Sequence, residues 1–116
     1  MTDQLTFDIA PIVQPSHTTR ASIDERFNEF HHANRWVYQQ LEAMTAELIT
    51  AGQKRIGMKM LIEVLRWRYF RQTFDTTSGF KLNNDYTSRY ARLLLTAHPE
   101  WAGVFETRAL SSERAA

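Results

Sequence analysis

Apolar residues return at helical spacing in four successive stretches, and each stretch carries a start or stop signal of its own. No other feature constrains the fold as much. A chain whose buried positions repeat every three to four residues must hide one face of each helix against another helix. Ser22 followed by Glu25 has the form of a capping box, in which the serine oxygen accepts a first-turn N–H and the glutamate reaches back. It predicts a first helix over about 22–32, with Phe27, Phe30 and His31 on one side. Asn34 is a candidate cap for a second helix. Val37, Leu41, Met44 and Leu48 then recur at i, i+4, i+7 and i+11, and Gly52 supplies the left-handed residue that ends such a helix. In a third pattern Met58, Leu61, Ile62, Leu65 and Tyr69 form the apolar face, with Lys59, Glu63, Arg66 and Phe70 opposite. Asn83 or Asn84 caps a fourth helix that runs to about His98, where Pro99 blocks continuation. Its buried stripe is Tyr86, Tyr90, Leu93, Leu94 and Ala97, while Asp85, Ser88, Arg89, Arg92 and Thr96 gather on the other side.

The remaining segments are short. Phe74–Gly79 is turn-like in composition, and Phe80-Lys81-Leu82 alternates as a short strand would. Val104–Leu110 is a second strand candidate or a last short helix. The expected class is therefore mainly α, with three to four helices and a small β element. The order is compatible with a winged-helix-like domain, although about ten turn-like residues separate the last two helices where a winged helix keeps them close. A plain helical bundle is the alternative. A chain of 116 residues holds one such domain. It is expected over 21–110, between a flexible N-terminal tail, 1–20, broken by Pro11 and Pro15, and a frayed C-terminus, 111–116. Phe7, Ile9, Ile12 and Val13 are the tail residues able to dock on the body or on a partner.

Cysteine is absent, which removes disulfides, thiolate nucleophiles and cysteine metal sites. The acidic N-terminus lacks an apolar run of signal length, and runs such as Leu93–Leu95 fall far short of a membrane span. A cytoplasmic protein with no membrane partner is the expectation.

Charge is segregated although the net charge is only +1. Residues 54–92 hold nine basic residues against three acids, residues 1–53 three against seven, and residues 93–116 two against three. The basic stretch also contains Trp67, Tyr69, Phe70, Phe74, Phe80, Tyr86 and Tyr90. Basic residues interleaved with aromatics are the footprint of a protein that touches a polyanion. On the fourth helix, Asn84, Ser88, Arg89 and Arg92 would present to a major groove the residue types that read bases, and Lys59, Arg66, Arg71 and Lys81 would meet phosphates. The bland alternative is a solvated amphipathic helix. For Trp67 and Phe70, off the main stripe of the third helix, three roles compete: stacking on bases, a second core layer, which is favoured, or a protein interface. Trp101 joins them as an anchor candidate in the last case. His31 and His32 are adjacent and diverge on a helix, so no metal is expected, and no cofactor either. No phosphate loop, nucleophile elbow or His-Glu-x-x-His pattern nominates a reaction, which points away from an enzyme.

The segments Phe27-x-x-Phe30-His31-x-Ala33-Asn34, Arg55-Ile56-Gly57, Leu65-Arg66-Trp67, Lys81-Leu82-Asn83-Asn84 and Ser88-Arg89-Tyr90-Ala91-Arg92-Leu93 resemble a group of small proteins of bacteriophage and prophage genomes. The resemblance covers about 22–110, and its most specific part is Asn-Asn followed by Tyr-Ala-Arg. It implies a phage-type gene acting in a bacterial cytoplasm and carries no settled activity. Two expectations follow. The leading one is a small regulatory protein that binds double-stranded DNA through the fourth helix, with a homodimer as one way to reach successive grooves. The other is a protein that binds and inhibits a bacterial host protein of defence or transcription. A structural phage protein with merely solvated charges is a third.

Overall fold

The computed structural model of the chain describes residues 9–15, 21–73 and 84–105. Among these residues four α-helices form where the capping and stripe signals place them: α1 (Ile23–Ala33), α2 (Arg35–Thr50), α3 (Met58–Thr73) and α4 (Asn84–Ala97), followed by a 3-10 turn at Pro99–Trp101. The capping box at the head of α1 is complete. The Glu25 N–H donates to Ser22 Oγ at 3.1 Å and the Ser22 N–H donates to Glu25 Oε1 at 2.8 Å. The tail of α2 closes as a left-handed cap. Gly52 takes φ +101°, and the Gln53 N–H returns to the Leu48 carbonyl at 3.0 Å, so the last carbonyls of the helix are used. At α4, Ala97 is the last helical residue, as the proline at 99 requires.

Asn34 behaves differently from the cap its type suggests. It separates α1 from α2 with φ −134° and ψ 56°, yet its side chain makes no cap hydrogen bond. The amide is fully buried and clamps the segment 9–15 instead: the Val13 N–H donates to Oδ1 at 2.8 Å, and Nδ2 donates to the Val13 carbonyl at 2.7 Å. The Ile12 N–H adds a bond to the Tyr69 hydroxyl at 3.2 Å. Ile9 and Ile12 pack on the core while Val13 points outward. This part of the expected tail therefore lies against the body. Phe7 lies outside the described residues.

One core serves all four helices. Phe27 and Phe30 of α1, Trp36, Val37, Leu41 and Met44 of α2, Met58, Leu61, Ile62, Leu65 and Tyr69 of α3, and Tyr86, Tyr90, Ala91 and Leu94 of α4 are all buried. Each predicted stripe is present with small changes: Leu48 and Leu93 are only partly buried, and Ala97 is exposed. α3 packs against α2 and α4, and α4 in turn covers α1 and the 3-10 turn. Aromatic rings fill the joints, with Trp36 stacked on Tyr69 at 6.1 Å and Tyr90 edge-on to Phe27 at 4.9 Å.

The expected β element and winged-helix shape find no support. Among the described residues there is no strand, and β structure amounts to one parallel bridge between Ile56 and Phe105, where the Ile56 N–H meets the Val104 carbonyl at 2.8 Å. The pairing cannot extend, because two residues after Ile56 the backbone is already helical at Met58. Phe80-Lys81-Leu82 lies outside the described residues, as does the Val104–Leu110 candidate beyond Phe105.

Candidate interaction face on the third helix

On a helix, residues four and three apart share a face. The buried residues of α3 occupy one side. Met60, Val64 and Trp67, at successive steps of four and three, occupy the opposite side together with Arg71. Trp67 is 60% exposed, Met60 50%, Phe70 40% and Val64 37%. These four and Val13 are the large apolar side chains exposed among the described residues. Among the described residues the expected second core layer is thus absent: helices pack on one side of α3, and Trp67 and Phe70 are exposed. Met60 and Val64 are not among the site residues that charge and aromatics nominate; their spacing with Trp67 and Arg71 is the signal that marks them.

Cations frame the apolar strip. The Arg71 guanidinium carbon lies 5.1 Å from the Trp67 ring centroid, a cation–π contact that orients both side chains. Lys59 is exposed near the head of the helix and Arg68 is half-buried beside the strip. Arg66 approaches Glu63 at 3.7 Å, a solvent-screened pair of small energetic worth. Lys59, Arg68 and Arg71 have no carboxylate partner among the described residues. Beyond the head of the helix, Lys54 and Arg55 are also exposed.

The fourth helix presents its expected base-reading set differently. Ser88 is buried, its hydroxyl directed at the Asp85 carbonyl 3.5 Å away. Arg89 is largely covered, and its Nε donates to Asp24 Oδ1 of α1 at 2.7 Å while Nη1 donates to the Asp85 carbonyl at 3.2 Å. Arg92 is half-buried. The cause is the packing of α4 against α1 as well as α3, which covers part of the side read as free. Asn84 is the first residue of α4, and Lys81 lies outside the described residues. Trp101 is no anchor. It is buried and stacks on His98 with ring centroids 3.8 Å apart.

A second polar cluster ties the 3-10 turn to α2. His98 places Nε2 2.6 Å from Glu42 Oε2 and Nδ1 3.2 Å from Glu100 Oε2. The hydrogen bond to Glu42 leads in holding the imidazole above its ordinary range. The Glu100 carboxyl is held below its usual range, first by a backbone N–H and then by His98. His31 moves the other way, because burial and then the nearby Arg35 and His32 charges disfavour its proton. Among the described residues no three His, Asp or Glu side chains group as metal ligands, and no helix is long and apolar enough to cross a membrane. Compared with known proteins, the chain matches no family model, no curated protein and no solved structure.

Proposed function

We propose that this protein is a non-catalytic interaction module that binds another protein through the outer face of α3. The observation that carries this reading is the strip Met60–Val64–Trp67, with Phe70 beside it, left in water on the side of the helix opposite the core. Leaving a buried-size indole and two aliphatic side chains in contact with water costs free energy that a partner surface recovers, at about 25 cal/mol per Å² of apolar area covered. Tryptophan with arginine is also the pair most enriched where interfaces concentrate their binding energy. The resemblance to phage proteins makes a bacterial host protein the expected partner.

Contact with duplex DNA is the second reading, favoured by the exposed cations Lys54, Arg55, Lys59 and Arg71. It ranks lower. Arg89 is committed to Asp24, Ser88 is buried, and the aliphatic centre of the exposed face offers nothing to a phosphate backbone. One experiment separates the two. The protein and a Met60→Ser/Trp67→Ser variant are immobilised and exposed to a bacterial lysate with and without nuclease. A protein retained by the wild type alone, and indifferent to nuclease, supports the proposal. Retention that nuclease abolishes, with salt-dependent binding of purified duplex, transfers the function to nucleic acid.

A further inference from the structure

We infer that the partner of this face is an acidic amphipathic α-helix that lies along α3; the inference rests on the protein-binding reading above. The spacing specifies a helix. Met60, Val64, Trp67 and Arg71 follow one another at four, three and four residues, the alternation of the seam positions of a two-helix coiled coil. Such a seam offers knobs and holes to a second helix along its length, whereas a flat or looped partner matches it only in part. From Met60 to Arg71 the seam runs about 17 Å, which a partner helix of about 12 residues spans.

Charge specifies the acid. The last seam position is Arg71, held over the Trp67 ring, and a helix laid on the seam must set a group opposite that guanidinium. A carboxylate pairs with it, while an apolar residue leaves it desolvated and unmatched. The flanks agree. Arg68 flanks the seam on one side; on the other, Glu63 and Phe70 flank it, with Lys59 and Arg66 one row further out, so four cations stand on the helix against one carboxylate. Lys59 and Arg68, like Arg71, have no carboxylate partner among the described residues, so an incoming acid breaks no existing pair at these three positions. A second copy of α3 would instead bring four cations against four, with one carboxylate on each side.

The test uses the full chain and two synthetic peptides. Each is held helical by lactam bridges on its outer face and carries leucines at seam spacing. One has glutamates at its flanks and opposite Arg71; the other has lysines at the same positions. Binding is read by anisotropy of the labelled peptide and by acrylamide quenching of tryptophan. Trp36 and Trp101 are only 8% and 7% exposed, so the quenchable indole is Trp67. The expected result is binding of the glutamate peptide at least about tenfold tighter than the lysine peptide at low salt. Trp67 becomes shielded, Trp67→Ala loses the binding, and an Arg68→Glu/Arg71→Glu variant inverts the preference. Trp67 and Arg71 are exposed and Arg68 is half-buried, and circular dichroism confirms that each variant is folded. Equal binding of both peptides, lost in Trp67→Ala, overturns the acidic partner and leaves the protein-binding face standing. Binding of neither peptide overturns the helical partner, and the nuclease experiment then decides the parent reading on its own. Self-association in sedimentation equilibrium that Trp67→Ala abolishes also overturns it, assigning the face to a second copy.

Discussion

At the scale of single residues, the polar atoms inside the core show what the packing demands. Tyr90 is fully buried among Phe27, His31 and Tyr86, and its hydroxyl has no hydrogen-bond partner among the described residues. Burial and the neighbouring Tyr86 hold the phenol firmly protonated, well above its ordinary range. A buried hydroxyl without a partner costs about 1 kcal/mol or more, so Tyr90→Phe is expected to leave stability unchanged or raise it by about 1 kcal/mol, read from urea unfolding. A clear loss would show that the oxygen is paired. The sequence identified Tyr90 as a core position, since it lies on the α4 stripe, but the fate of its oxygen depends also on side chains of α1. Ser88 and Arg89 teach the same lesson. Their polarity placed them on a free face. Yet Ser88 is buried, and Arg89 meets Asp24 of α1, which lies 65 positions earlier in the chain.

At the scale of elements, ends were more legible than faces. Capping is local: Ser22 and Glu25 act within one turn, Gly52 acts through its own φ, and Pro99 through its ring. Ser22→Ala is expected to cost about 1 kcal/mol by removing the acceptor for a first-turn N–H, with the loss visible in the thermal midpoint. A change below about 0.3 kcal/mol would mean that water replaces the cap without penalty. The faces of α3 show the limit of such reading. Its buried stripe was evident from Met58, Leu61, Ile62, Leu65 and Tyr69. The exposed strip on the opposite side is apolar too, and only the packing of neighbouring helices distinguishes the two. Asn34 is a similar case. Local chemistry marks it as a cap, and the arrival of Val13 turns its amide to another use.

At the scale of the molecule, two long-range devices hold the periphery. Asn34 and Tyr69 pin residues 12 and 13, and the His98 cluster pins the 3-10 turn onto α2. The second device sets a pH dependence. Because folding raises the His98 pKa above 6.5, its contribution is complete below that pH and is lost as pH rises through the raised value. Glu100 is lowered from 4.5, so its contribution is present above that pH and lost as pH falls through the lowered value. The cluster therefore stabilises most between pH 4.5 and 6.5. His31 runs opposite to His98: its lowered pKa favours the fold above pH 6.5 and weakens it below. Comparing thermal midpoints of the wild type and Glu42→Gln across pH cancels that background. The difference is expected to be largest near pH 6 and to shrink in alkali, and a difference flat with pH would refute the cluster's role.

The mainly helical class, the positions of the four helices, where they start and stop, and which stripe of each is buried are all legible in the order of the residues. These depend on periodicity, caps and backbone restrictions that act within a few residues. Which polar faces stay free follows from how the helices pack. Contact between helices brings together residues tens of positions apart, and it is this contact that commits Arg89 to Asp24, seals Ser88 and Trp101, and leaves Met60, Val64 and Trp67 facing water.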